Sequence, residues 1–237
     1  LEQQNLEDVC KTMDALMKTP TVVSGAIMPD ACSAGPIGTI PVGGVVVTKN
    51  SIHPGMHSAD TCCSLMVTNI GKVDPKTVLD IAQKITHFGP GGRKIENQFE
   101  LPIEILEEFE SNVFLNSEKS IELAKSHLGT QGDGNHFMYI GTSKNSEHTF
   151  IVTHHGSRGV GALLYKNGMK VAEDFRQKIS KDTMVQNAWI PSETTECINY
   201  WNALQTIRKL TKQNHICLHD EICKQLNVAV VNRFWNE

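Results

Sequence analysis

Between His53 and Val67 the sequence reads HPGMHSADTCCSLMV, with two histidines, an aspartate and a vicinal cysteine pair inside fifteen positions. Carboxylates, thiolates and imidazoles are the side chains that hold transition ions. Asp60 and Cys63 stand three apart, just before an apolar run, and at that spacing they can close on one metal ion. Cys62 and Cys63 point in different directions, so one of the pair is expected to ligate. His53 and His57 flank a Pro-Gly turn, where histidine is more often solvated than coordinating. The alternative is a loop entering a buried strand, with the cysteines as small hydrophobes.

Two later stretches carry comparable chemistry. LGTQGDGNHFMYIG, residues 128–141, has glycines at 129, 132 and 134 that allow close backbone approach to a ligand. Asn135 could orient a phosphate or base there while His136 binds metal. The alternative is a glycine-rich hairpin with an ordinary strand histidine. FIVTHHGSRGVG, residues 150–161, delivers a histidine pair at the end of a strand, followed by Gly-Ser-Arg-Gly. Free amides at a helix start, the Ser157 hydroxyl and the Arg158 guanidinium make an anion cradle. The alternative is a strand-to-helix turn with a surface arginine. His154 and His155 face opposite sides of a strand, so one of them can reach a site. Asp60, Cys63, His136 and His154 together offer O, S and N ligands beside an anion cradle. That combination suggests metal-assisted phosphoryl chemistry.

The rest of the chain must position these residues. It has 237 residues and is 40% hydrophobic, enough for a sizeable core. With 22 basic and 26 acidic residues the net charge is −4, so no general basic field for nucleic acid exists. A nucleic-acid substrate would need a local patch or a metal. No apolar run of about eighteen residues predicts a membrane span, and no signal peptide is evident. Seven cysteines without a secretory signal favour free thiols in a reducing, cytoplasmic setting.

Helical spacing is expected over 5–17, and Gly, Pro and Val between 19 and 50 read as short strands and turns. SLMVTNIG is a strand. Asp74 caps a helix with Pro75 at its first position. GPGG at 89–92 reads as a flexible loop between that helix and two more within 101–129, the first of them acidic. HFMYIG and HTFIVTHHG are strands, and SRGVGALLYKNGMKVAEDFRQKI turns helical. SETTECINYWNALQTIRKLTKQ and HDEICKQLNVAVVNRFW read as two amphipathic helices, the second cut in its middle by the end of the chain. Strands and helices lack a βαβ alternation, so α+β is expected: a mixed sheet core with flanking helices, in one domain over 1–237.

The motifs, in order, resemble the RtcB family of GTP-dependent RNA ligases. MPDACSAGPIGTIPVGGVV is similar to that family's opening signature, SADTCC to its Asp-x-x-Cys metal motif, LGTQGDGNHF to its Gly-x-Gly-Asn-His-Phe motif, and THHGSRGVG to its His-x-Gly-Ser-Arg-Gly motif. The resemblance covers roughly 22–237. It implies an RtcB-like fold in which Asp60, Cys63 and His136 hold one Mn²⁺ and Cys63 bridges to a second, joined by His154. Asn135 would contact the guanylate, with Ser157 and Arg158 beside a phosphate. The implied reaction joins RNA 3′-phosphate or 2′,3′-cyclic phosphate ends to 5′-hydroxyl ends through a guanylated histidine, in RNA repair or tRNA splicing. Ligand type alone would favour Zn²⁺, since soft sulfur seldom selects manganese.

The nucleophilic histidine and the remaining ligand of the second ion would follow Glu237, so the fragment alone is expected to be inactive. HPGMHSADTCC and HFGPGGR look most like a divergent bacterial branch found beside a release-factor-like protein, which would be a functional partner. Cys32 and Tyr139 replace a histidine and a guanine-contacting glutamate of the family pattern. These departures keep open an inactive metal- and RNA-binding homologue, or a metal-dependent phosphoesterase.

Overall fold

A computed structural model describes residues 2–57 and 59–237. In chain order these form helix α1 (Glu2–Leu16), strands β1 (Val22–Cys32), β2 (Val42–Thr48), β3 (Ser51–Ile52) and β4 (Ser64–Asn69), and helix α2 (Pro75–Ile85). Strand β5 (His87–Phe88), helices α3 (Ile103–Ser111) and α4 (Glu118–His127), and strands β6 (Thr130–Gly132), β7 (Phe137–Thr142) and β8 (Thr149–His155) follow. Helix α5 (Arg158–Ile179), strand β9 (Ile190–Pro191), helix α6 (Thr195–Leu226) and strand β10 (Asn232–Asn236) complete the chain. The class is α+β, as expected.

The residues gather into two compact units, one of residues 1–59 and 164–202, the other of 60–163 and 203–237. In the first, β1 and β2 form an antiparallel ribbon and β3 pairs with β9. Gly25 lets the ribbon lie close over Met13 and Met17 of α1, where a Cβ would come within 3.1 Å of both side chains. His53 belongs to this unit's interior. It contacts Thr21 Oγ1 at 2.7 Å and the Asn187 carbonyl at 3.0 Å, so it is a structural residue with its partners satisfied. His57 packs on the Tyr200 ring and meets its hydroxyl at 2.8 Å.

The second unit is built on a four-stranded antiparallel sheet in the order β10-β4-β8-β7. Alternation sorts its side chains. Ile151 points to the face covered by α2 and α6, where Ile70, Val78, Ala82, Ile222 and Cys223 complete an apolar core. Helix α2 starts as the sequence predicts. Asp74 accepts from the Thr77 amide at 3.0 Å, and Pro75 occupies the first position.

Two expectations fail here. The two helices expected over 192–213 and 219–235 are one helix of 32 residues followed by a strand. No glycine or proline interrupts 195–226, and the polar residues Asn214, His215 and His219 along it are buried and partnered. The helix stops at Asn227, which takes φ 54°. Its N–H bonds the Lys224 carbonyl at 3.1 Å and the Val228 N–H bonds the Cys223 carbonyl at 3.0 Å, a Schellman ending. Beyond it, β-branched Val228, Val230 and Val231 disfavour helix, and 232–236 pairs with the free edge of β4. Asn227→Ala is expected to destabilise by about 1 kcal/mol, since alanine tolerates the left-handed conformation less well than asparagine. Asn227→Gly should match or exceed the parent in a urea titration.

The 89–92 loop is not a free connection either. Its Gly89 N–H bonds the Gly132 carbonyl at 2.8 Å, and Arg158 Nη2 donates to the Gly89 carbonyl at 3.3 Å.

Candidate metal centre

Asp60, Cys63 and His136 come together in the second unit, and their donor atoms all lie within 4.8 Å of one another. Asp60 and Cys63 lie on the turn that enters β4. The turn is tight because Cys62 adopts φ 59°, which throws its side chain toward the Leu204 carbonyl, 3.7 Å away. Burial pushes the Cys62 thiol up to about 12. His136 arrives from the other side, at the end of the glycine-rich loop that feeds β7. Its Nε2 lies 2.8 Å from Asp60 Oδ2 and 4.0 Å from Cys63 Sγ.

The sequence after β8 holds this cluster in place. Asp60 Oδ1 accepts from the Arg158 amide at 3.0 Å and from the Ser157 hydroxyl at 3.2 Å. The Ser157 N–H in turn bonds the Thr61 carbonyl at 3.1 Å. Gly156 is required by space: a Cβ there would lie 2.5 Å from Asp60 Oδ1 and 2.8 Å from Cys63 Sγ. Burial by itself would raise the Asp60 pKa, but the hydrogen bond and charge of His136, with the Arg158 amide and guanidinium, hold the carboxyl below its usual value. Burial and the neighbouring Asp60 charge push the Cys63 thiol up to about 11. Three donors of mixed hard and soft type thus converge where no side chain other than glycine fits, and this suits a divalent cation.

His154 stands beside the cluster rather than inside it. Its ring centroid lies 5.8 Å from that of His136, and it stacks on Phe137 at 5.6 Å. On β8 its register partners are Leu65 and Phe137, whereas His155 pairs with Ser64 on the opposite face, the alternation the sequence predicts. Burial and the His136 charge lower the His154 pKa. Asn135 is exposed on the loop. Ser157 and the Arg158 amide serve Asp60, while the Arg158 guanidinium bonds Thr130 Oγ1 and the Gly89 carbonyl, both at 3.3 Å. Its nearest carboxylate is Asp133, at 4.0 Å. Arg158 itself takes φ 56°. Its guanidinium occupies the space a side chain at Gly132 would need.

Several supporting residues carry no motif in the sequence. Gln131 is fully buried, and its Nε2 donates to the Phe137 carbonyl at 2.7 Å and the His154 carbonyl at 2.8 Å. It ties together the strand ends that deliver His136 and His154. Asn214 of α6 accepts from the Thr130 amide at 3.0 Å and donates to the Thr130 carbonyl at 3.0 Å. It also contacts His155 Nδ1 at 3.2 Å. His155 stacks on His215 with centroids 3.6 Å apart. Thr153 Oγ1 then touches His215 Nδ1 at 2.6 Å and His219 Nε2 at 2.8 Å. The available signal was Thr211, Asn214, His215 and His219 recurring at helical spacing among apolar residues, a polar seam on a buried helix face.

Burial keeps these imidazoles neutral. It lowers His215 to about 3 and His53 to about 4, and with the neighbouring imidazoles it holds His155 and His219 well below 6.5. Above pH 6.5 the groups are uncharged both folded and unfolded and contribute nothing to a pH dependence. Below it the unfolded chain binds protons that the native state refuses, so stability falls down to the native pKa values. For His53 alone the interval from 6.5 to about 4 corresponds to about 3 kcal/mol. Urea midpoints measured from pH 7.5 to 5 should fall steeply below pH 6.5. A flat profile would mean these histidines are protonated in the native state.

The fold and site define an α+β protein with a carboxylate–thiol–imidazole cluster set against a glycine-bounded strand-to-helix turn. The family model described as tRNA-splicing ligase RtcB matches residues 12–234, and the chain belongs to the RtcB family. No curated protein matches it. The family is one of metal-dependent RNA ligases. Among the described residues no helix is long and apolar enough to cross a membrane.

Proposed function

We propose that this chain carries the cation-holding centre of a GTP-dependent ligase that joins RNA 3′-phosphate or 2′,3′-cyclic phosphate ends to 5′-hydroxyl ends, in RNA repair or tRNA splicing. The observation that carries the reading is the convergence of Asp60, Cys63 and His136 beside the Gly156-Ser157-Arg158 turn. These three residues would hold one Mn²⁺, and Cys63 with His154 would contribute to a second. The O and N donors suit manganese, whereas the thiol alone would favour Zn²⁺. Bound divalent cations would supply the charge neutralisation that lets a net-acidic chain engage triphosphate and RNA phosphate together.

The chain's own residues have separable roles in this reading. Asp60 is held ionised and oriented by Ser157 and the Arg158 amide. The Arg158 guanidinium, bonded to two neutral oxygens and 4.0 Å from Asp133, would meet a phosphate. Asn135, exposed on its loop, would meet the guanylate. The seven cysteines are all free in the structure, which fits a reducing compartment such as the cytoplasm. A release-factor-like protein is the proposed functional partner.

The test is incubation of the intact polypeptide with radiolabelled GTP and Mn²⁺, then with RNA bearing 3′-phosphate and 5′-hydroxyl ends. The reading expects a covalent guanylate and a sealed product, and absence of both would end it. A second reading, a metal- and RNA-binding homologue that does not ligate, is favoured by Tyr139. That side chain is 60% exposed at the position where the family pattern has a guanine-contacting glutamate. It expects metal and RNA binding with no GTP binding. Release of inorganic phosphate without sealing would instead indicate a phosphoesterase.

A further inference from the structure

A second concave feature lies in the same unit. Residues at the end of α2 and through the 92–99 segment line a groove of about 650 Å³, within the size range of ligand sites. Its lining includes Lys84, His87, Arg93, Lys94, Phe99 and one acid, Glu221. Among the described residues none of Lys84, Arg93 and Lys94 forms an ion pair. Glu221 is already engaged, 3.9 Å from Lys224 Nζ and accepting from Gln225 at 2.8 Å. In a chain of net charge −4, cations left unpaired in a concavity mark a place for an anion from outside.

Arg93 is also fixed in position. Its Nε and Nη2 donate to the Gly129 carbonyl at 2.9 and 2.7 Å, and Nη2 reaches the Ile85 carbonyl at 3.1 Å. Its guanidinium lies 4.6 Å from the Phe99 ring centre. Carbonyls and an aromatic face hold the group in place without a close ion pair, the Glu221 charge acting on it only from beyond ion-pair distance, so the guanidinium is preorganised.

Backbone contacts link the groove's segment to the turn beside the candidate metal centre. Strand β5, which includes His87, pairs with β6, and Arg158 donates to Gly89 in the turn between the two features. Arg93 bonds the Gly129 carbonyl and Arg158 bonds Thr130 Oγ1, so the two guanidinium groups anchor on adjacent residues. Resting on the ligase reading, we propose that the groove binds the phosphodiester backbone of the RNA strand next to its reacting end, with Arg93 as the fixed contact and Lys84 and Lys94 as mobile ones.

The experiment uses the intact polypeptide and its Lys84→Ala/Lys94→Ala variant, whose changes lie at exposed positions. Binding of a fluorescent single-stranded RNA with a 3′-phosphate is measured across salt concentrations, with bound Mn²⁺ and binding of a fluorescent GTP analogue read in parallel. The double variant should bind RNA about tenfold to a hundredfold more weakly, with a salt slope shallower by about 1.4 if two phosphate contacts are lost. Its Mn²⁺ content should equal the parent's. RNA binding equal to the parent's, with the parent still sealing RNA, would overturn the groove and leave the ligase reading standing. Loss of GTP binding in place of RNA binding would assign the groove to a nucleotide and also overturn it. A parent that neither binds nor seals RNA would remove the ligase reading, and this inference with it.

Discussion

Cys63→Ser is expected to lose most of the bound metal, and Cys62→Ser very little. Cys63 Sγ sits in the cluster with Asp60 and His136, while Cys62 is turned away toward Leu204. Removing a hydrogen-bond partner of a ligand commonly lowers metal affinity about 10–100-fold, so removing a thiolate ligand should exceed the upper end of that range. Serine is close in size but far weaker as an anionic donor, and the fold should survive. The measurement is metal content by mass spectrometry after dialysis against buffered Mn²⁺ or Zn²⁺, with a urea titration to confirm folding. The reverse pattern, with Cys62→Ser stripping the metal, would show that the wrong cysteine has been assigned. Because burial and Asp60 push the Cys63 thiol up to about 11, cation binding must displace its proton. Metal affinity should therefore rise with pH across the neutral range.

Asn214→Ala is expected to destabilise the protein by about 3–5 kcal/mol, far more than an ordinary helix substitution. The side chain is buried and accepts from the Gly129 and Thr130 amides while donating to the Thr130 carbonyl. Alanine would strand buried backbone groups, each at about 1–3 kcal/mol. The loop so anchored ends at His136, so metal affinity should fall as well, by about tenfold. Asn214→Asp keeps the acceptor for both amides and loses the donor, and should fall between alanine and parent. An alanine variant with the parental urea midpoint would show that α6 does not organise this loop.

The candidate triad was legible in the sequence because its residue types are rare together and glycine marks their surroundings. Asp60, Cys63 and His136 were identifiable by chemistry, and the opposed faces of His154 and His155 follow from strand geometry alone. What supports them was not legible. Gln131 and Asn214 act through backbone carbonyls and amides, contacts that depend on how distant segments meet and leave no local pattern. The fate of 227–236 was misread for a related reason. The segment's apolar character suits either a helix or a strand, and the free edge of β4, more than 160 residues earlier in the chain, decides between them.

The pairing of β10 with β4 also has a bearing on synthesis. Residues 64–69 cannot complete their sheet until residues 232–236 have been made, and the polar seam of α6 must arrive before His155 is covered. Such long-range closure is slow compared with local helix formation. During translation the adjacent thiols of Cys62 and Cys63 would therefore spend most of the chain's elongation unsheltered, within reach of oxidants and of stray thiophilic ions. Oxidation of Cys63, or capture of a stray thiophilic ion there, before that closure would compete with assembly of the cluster it forms with Asp60 and His136.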